Sequence, residues 1–88
     1  MATYTVLFKR SADKALQKLP EKVQRRIVLA ASELAVEPRP VGCVNLEGED
    51  NLWRIRVGDY RIVYTIEDQK LIVLVVRIAH RKDVYRDM

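Results

Sequence analysis

Two alternating runs joined by a two-residue turn constrain this chain more than any other feature. Leu52-Trp53-Arg54-Ile55-Arg56-Val57 and Tyr60-Arg61-Ile62-Val63-Tyr64-Thr65-Ile66 flank Gly58-Asp59. Side chains alternate along a strand, so Trp53, Ile55 and Val57 share one face while Arg54 and Arg56 share the other. If Gly58-Asp59 is a turn with Gly at its first position, Val57 pairs with Tyr60 and Arg56 lies opposite Arg61. Tyr60, Ile62 and Tyr64 then join Trp53, Ile55 and Val57. Both strands agree on which side is buried.

A third run, from Lys70 to Ile78, follows the short Asp68-Gln69 turn and predicts an antiparallel meander. Its centre, Leu71-Ile72-Val73-Leu74-Val75-Val76, lacks alternation and reads as a central strand buried on both faces. Upstream, Thr3 to Phe8 is rich in β-branched and aromatic residues and reads as a first strand. Ser11 is the expected N-cap of a short helix carrying Ala12, Ala15, Leu16 and Leu19. Pro20 fits the first turn of a second helix, where Glu21 suits the positive end of the dipole. Val23, Ile27, Ala30, Ala31 and Leu34 form its apolar stripe, Lys22, Arg25, Arg26 and Glu33 line the opposite face, and Pro38-Arg39-Pro40 enforces the stop. The expected fold is α+β: an N-terminal strand and an α-helical hairpin packed on one face of a twisted antiparallel sheet of four or so strands. The other face is left for function.

At 88 residues, 49% of them hydrophobic, the chain supports one core and a single domain over 1–88. No apolar run approaches a membrane-spanning length, so no membrane partner is expected. The N-terminus lacks the pattern of a secretory signal, and a cytoplasmic location is expected. One cysteine, Cys43, and one histidine, His80, are too few soft ligands for a zinc site, and no cofactor is expected. Cys43 reads as a free buried thiol rather than a nucleophile. Phe8, Tyr4 and Trp53 read as core or near-core residues. Sixteen Lys and Arg against twelve Asp and Glu give a net charge of +4, which favours a polyanion or an acidic protein as partner.

Like charges opposite each other in a sheet are destabilising by up to roughly 1 kcal/mol, so folding alone gives no reason to cluster Arg54, Arg56 and Arg61. An anionic ligand gives one. Equally, each arginine can be a solvated side chain or a partner of nearby Glu47, Glu49 or Asp50. The run from Arg77 to Arg86 returns more cations to the end of the sheet and adds His80 and Tyr85, two groups able to transfer protons. A surface role for His80 and an edge-packing role for Tyr85 stand beside that reading.

Leu52 to Val57, Gly58-Asp59-Tyr60-Arg61-Ile62-Val63-Tyr64 and Ile78-Ala79-His80-Arg81-Lys82-Asp83-Val84-Tyr85 together resemble the RelE branch of the RelE/ParE toxin superfamily, and Lys14 to Pro20 with the following helix also fit. The resemblance covers nearly the whole chain. It implies the toxin of a type II toxin–antitoxin pair, a metal-independent endoribonuclease that cuts messenger RNA in the ribosomal aminoacyl site and leaves a cyclic phosphate and a 5′-hydroxyl. It implies a cognate antitoxin that is acidic or amphipathic, with any contact to operator DNA running through that antitoxin. Carried over by position, Arg61 and Arg81 resemble the phosphate-clamping pair, and Tyr85 the tyrosine that orients or activates the 2′-hydroxyl. Arg54 and Arg56 stand where family members often carry lysine. Arginine stays protonated above pH 12 and is a poor acid or base, so His80 is expected to take a larger acid–base share here. Alternation carried straight along the third strand nevertheless puts His80, not Arg81, on the arginine face. Either a bulge or bend after Ile78 re-aims Arg81, or the register is off by one. Two other functions share the fold: ParE-like inhibition of DNA gyrase, and ribosome or RNA binding without cleavage.

Overall fold

The computed structural model describes residues 3–46 and 51–84. Its centre is the hairpin of β3 (Leu52–Val57) and β4 (Tyr60–Glu67), paired as the alternation requires, with Val57 opposite Tyr60 and Arg56 opposite Arg61. Of the two turn residues only Gly58 has a positive φ, 58°, the pattern of a type II′ turn, which needs glycine first. A Cβ there would also meet the Arg26 guanidinium at 3.4 Å.

The remaining strands are β1 (Thr5–Phe8), β2 (Val44–Asn45) and β5 (Ile72–His80), and the sheet order is β1-β5-β4-β3-β2. The α+β class is borne out. β1 runs parallel to β5, however, so the five-stranded sheet is mixed. The short β2, pairing Val44 with Arg54 and Asn45 with Trp53, falls in what the sequence reads as loop. β5 is an interior strand, as its unbroken apolar run predicts, but Ile72 and Leu74 are only half-buried. The turn before it is longer than two residues. Glu67 pairs with Ile72, and Leu71 adopts a φ of 53° within the connection, directing its carbonyl to the Thr5 amide at 2.7 Å.

The helices α1 (Arg10–Gln17) and α2 (Glu21–Glu33) form the expected hairpin. Lys9 rather than Ser11 caps α1: the Lys9 amide still donates to Val75 O as strand, and the helix begins at Arg10, two residues earlier than a Ser11 cap allows. Pro20 sits at the N-cap of α2 with Glu21 in its first turn. Ala12, Leu16, Ile27 and Leu34 pack on Ile55, Ile62, Tyr64, Ile66, Val73, Val75 and Ile78, while Tyr4, Phe8, Cys43 and Trp53 border that cluster. Tyr64, fully buried, donates its hydroxyl to Pro38 O at 2.7 Å, and burial pushes its pKa well above the ordinary tyrosine range. The loop after α2 is fixed on its outer side as well. Arg39 grips Asp68 with both guanidinium nitrogens, at 3.2 and 3.0 Å, and stacks over Trp53 at 5.1 Å; Tyr4 donates its hydroxyl to Asp68 at 2.6 Å. Among the described residues no helix is long and apolar enough to cross a membrane. A last short helix, α3 (Arg81–Val84), follows β5 directly and contacts β4 and β5.

Candidate functional site: an arginine face on the sheet

The face of the sheet away from α1 and α2 is set by the residues left over from core packing. On β3 these include Arg54 and Arg56, and on β4 Arg61, Val63 and Thr65. Arg56 and Arg61 are direct cross-strand partners; Arg54 faces Val63. Arg56 is exposed and Arg54 half-buried, whereas Arg61 is only 5% exposed. Its Nε and Nη1 are both buried and, among the described residues, have no hydrogen-bond partner. A buried guanidinium in that condition is costly, of the order of 1–3 kcal/mol for each unsatisfied group, and an oxyanion relieves it. The ion pairs Arg25–Glu21, Arg39–Asp68 and Lys70–Glu67 involve other side chains than the arginines of this face. Glu47, Glu49 and Asp50, the alternative partners that the sequence offers, lie outside the described residues.

The register of β5 settles which C-terminal residues join the face. Tyr64 pairs with Val75 but Val63 pairs with Arg77, so the ladder skips Val76. One extra residue in a bulge reverses the parity of everything after it. Val73, Val75 and Ile78 therefore all reach the core, while Arg77 and Ala79 turn to the arginine face beside Val63 and Arg61. The irregularity thus precedes Ile78 instead of following it. Arg81 follows β5 as the first residue of α3. Its amide donates to Asp59 O at 2.7 Å, which holds the start of α3 against the β3–β4 turn, at the end of the sheet that carries Arg56 and Arg61. The Arg81 side chain is exposed.

His80 goes the other way. It pairs with Tyr60 and meets that ring edge-on, with centroids 5.4 Å apart and planes at 87°. Its Nδ1 accepts the Lys82 amide at 3.3 Å. The half-buried imidazole belongs to the helix-facing side, so the structure does not bring it together with Arg54, Arg56 and Arg61. Tyr85 lies outside the described residues. Arg77, read from the sequence only as the first cation of the C-terminal run, is the residue of this face that sequence reasoning left out of the site, because the skip at Val76 that places it is not marked locally. Among the described residues no group of three or more His, Cys, Asp or Glu side chains is placed to hold a metal.

Residues 6–85 match the family model described as the ParE toxin of the type II toxin–antitoxin system parDE. The chain belongs to the RelE/ParE superfamily of type II toxins. Toxin RelG of Mycobacterium tuberculosis is 36% identical over 84 residues, spanning 94% of this chain and 97% of the relative. Toxin RelE of the same organism is 34% identical over 84 residues, spanning 94% of this chain and 87% of the relative. Among solved structures, the archaeal RelE–RelB complex from Pyrococcus horikoshii matches with a TM-score of 0.81 at 32% identity, over 90% of this chain and 96% of that chain. A toxin–antitoxin complex from Mycobacterium tuberculosis matches with a TM-score of 0.80 at 33% identity, over 90% of this chain and 99% of that chain. The protein is accordingly a RelE-like toxin, and the arginine face lies on the broad side of its sheet opposite the helical hairpin.

Proposed function

We propose that this toxin is a ribosome-dependent endoribonuclease that cuts messenger RNA in the aminoacyl site, without a metal, and acts in the cytoplasm. The observation that carries the reading is Arg61, buried with Nε and Nη1 lacking hydrogen-bond partners among the described residues and lying opposite the exposed Arg56. Attack by a ribose 2′-oxygen on the neighbouring phosphorus builds negative charge on the phosphorane oxygens. Fixed cations in a partly dry site stabilise that charge more than they stabilise the ground state. Arg61 and Arg81 clamp the phosphate, while Arg54 and Arg56 add positive potential. Tyr85 is assigned by the family resemblance to orienting the 2′-hydroxyl. Arginines move no protons at neutral pH. The toxin therefore relies on the ribosome to hold the message in line for attack, and free RNA is cut slowly.

A cognate antitoxin holds the toxin inactive, a reading supported by the match of its fold to a RelE in complex with RelB. An acidic or amphipathic segment suits both the arginine face and the exposed Val28 and Leu29 on the outer side of α2. A second reading has one observation in its favour, since the matching family model is that of ParE, and ParE-like toxins act on DNA gyrase.

The two are separated by adding purified toxin to a reconstituted translation reaction and, in parallel, to a gyrase supercoiling reaction. Cleaved message with supercoiling intact is the expected result. Blocked supercoiling with intact message would transfer the assignment to gyrase.

A further inference from the structure

The bulge at Val76 decides where Arg77 lies. It makes Arg77 the cross-strand partner of Val63, whose partner on the other side is Arg54. The face therefore carries two rows across β3, β4 and β5. The first is Arg56, Arg61 and Ala79; the second is Arg54, Val63 and Arg77. Successive rows are two residues apart along each strand, about 6.7 Å, a step close to that between neighbouring phosphates of an extended RNA strand. Val63, 2% exposed, gives the second row an apolar floor with a guanidinium on each side. Arg77 also borders an open groove of about 400 Å³ shared with Lys9 and Ser11, along the stretch of β5 that β1 leaves unpaired.

We infer that Arg77, with Arg54, binds the phosphate adjacent to the scissile one, so that the face holds two consecutive phosphates of a single-stranded RNA, one per row. This rests on the nuclease reading above and adds a phosphate-binding residue to it. Arg77 touches no reacting atom in this arrangement. Its loss weakens substrate binding and leaves the chemical step in place. A bidentate guanidinium–phosphate contact fits the planar fork of arginine better than the single ammonium of lysine.

The test uses intact toxin and the Arg77→Gln variant in single-turnover cleavage on ribosomes programmed with a defined message, which fixes the register of the RNA. The variant is expected to raise the half-saturating toxin concentration about tenfold, with the plateau rate within about threefold. On messages in which a neutral methylphosphonate replaces the phosphate beside the cut, on one side or the other, intact toxin and Arg77→Gln should become alike on one of the two. Equal half-saturation on the ordinary message, or a loss undiminished on both modified messages, overturns the inference. A fall in plateau rate alone also overturns it, because that places Arg77 in the chemistry or the fold. Should Arg77→Gln not fold, intact toxin on the modified messages and Arg77→Lys on the ordinary one carry the test. Unchanged half-saturation with both methylphosphonates is then the contradicting result. If intact toxin cuts no message at all, the nuclease reading itself has failed, and that outcome is visible before any variant is compared.

Discussion

At Arg61 the proposed function and the stability of the fold make opposite demands on one side chain. Its Nε and Nη1, buried and without a hydrogen-bond partner among the described residues, are a standing destabilisation, and unsatisfied groups of this kind concentrate where a ligand completes them. Arg61→Met should therefore raise the unfolding free energy by about 1–2 kcal/mol, and Tm by roughly 5–10 °C, while message cleavage falls by at least about 10²-fold. Thermal denaturation beside a cleavage assay checks both halves. His80 carries the opposite expectation. Facing Tyr60 and not the arginines, it has no path to the reacting phosphate, so His80→Gln should lose less than about tenfold in rate, against the 10²–10⁴ of a proton-transfer group. A third expectation concerns Asp68, whose carboxyl is held below the usual aspartate pKa chiefly by its hydrogen bonds from Arg39 and then from Tyr4. A carboxylate with a depressed folded-state pKa stabilises the fold above its unfolded pKa of about 3.9, and that contribution fades as pH falls through the folded value. Asp68→Asn should lower Tm at neutral pH, with the gap from the intact toxin closing in acid.

At the scale of elements, the β3–β4 hairpin is the best-specified piece. Gly58→Ala places a side chain at a φ of 58° and against Arg26, and is expected to cost about 1–3 kcal/mol in a denaturant titration. The hairpin was legible because alternation, turn chemistry and burial all point to one register: Trp53, Ile55 and Val57 must face the core with Tyr60, Ile62 and Tyr64 for either strand to fold. The same agreement made the grouping of Arg54, Arg56 and Arg61 readable without coordinates. β5 was harder. Its apolar run Leu71 to Val76 carries no parity information, so nothing local to those residues marks Val76 as the one the ladder skips. Only the need to bury Val75 and Ile78 together, three residues apart, reveals it, and that requirement is tertiary. The misplacement of His80 and the omission of Arg77 both follow from that one residue. The parallel seat of β1 was likewise out of reach. Pairing Thr5 with Ile72 is a contact between residues far apart in the chain that no short-range pattern encodes. The two-residue β2 is held by the loop that Arg39 and Tyr64 anchor, not by strand propensity of its own.

For the whole molecule, the arrangement is a division of labour between two faces of one sheet. The helices α1 and α2 cover one face and leave the other to cations. The chain carries a net charge of +4, and Arg54, Arg56, Arg61 and Arg77 gather where β3, β4 and β5 meet, with the Arg81 amide bonded to the β3–β4 turn at one end of that face. On the nuclease reading proposed above, binding of RNA to this face should weaken with salt, each phosphate contact to a single strand contributing about 0.7 to the slope of log affinity against log salt. The most direct measurement of the account is primer-extension mapping of message ends in a reconstituted translation reaction, comparing intact toxin with an Arg61→Ala, Arg81→Ala double variant shown to be folded. New 5′ ends at codon positions with intact toxin, absent with the double variant, are what the arginine face predicts. The absence of new ends from folded, intact toxin, or the same ends from the double variant, would contradict it.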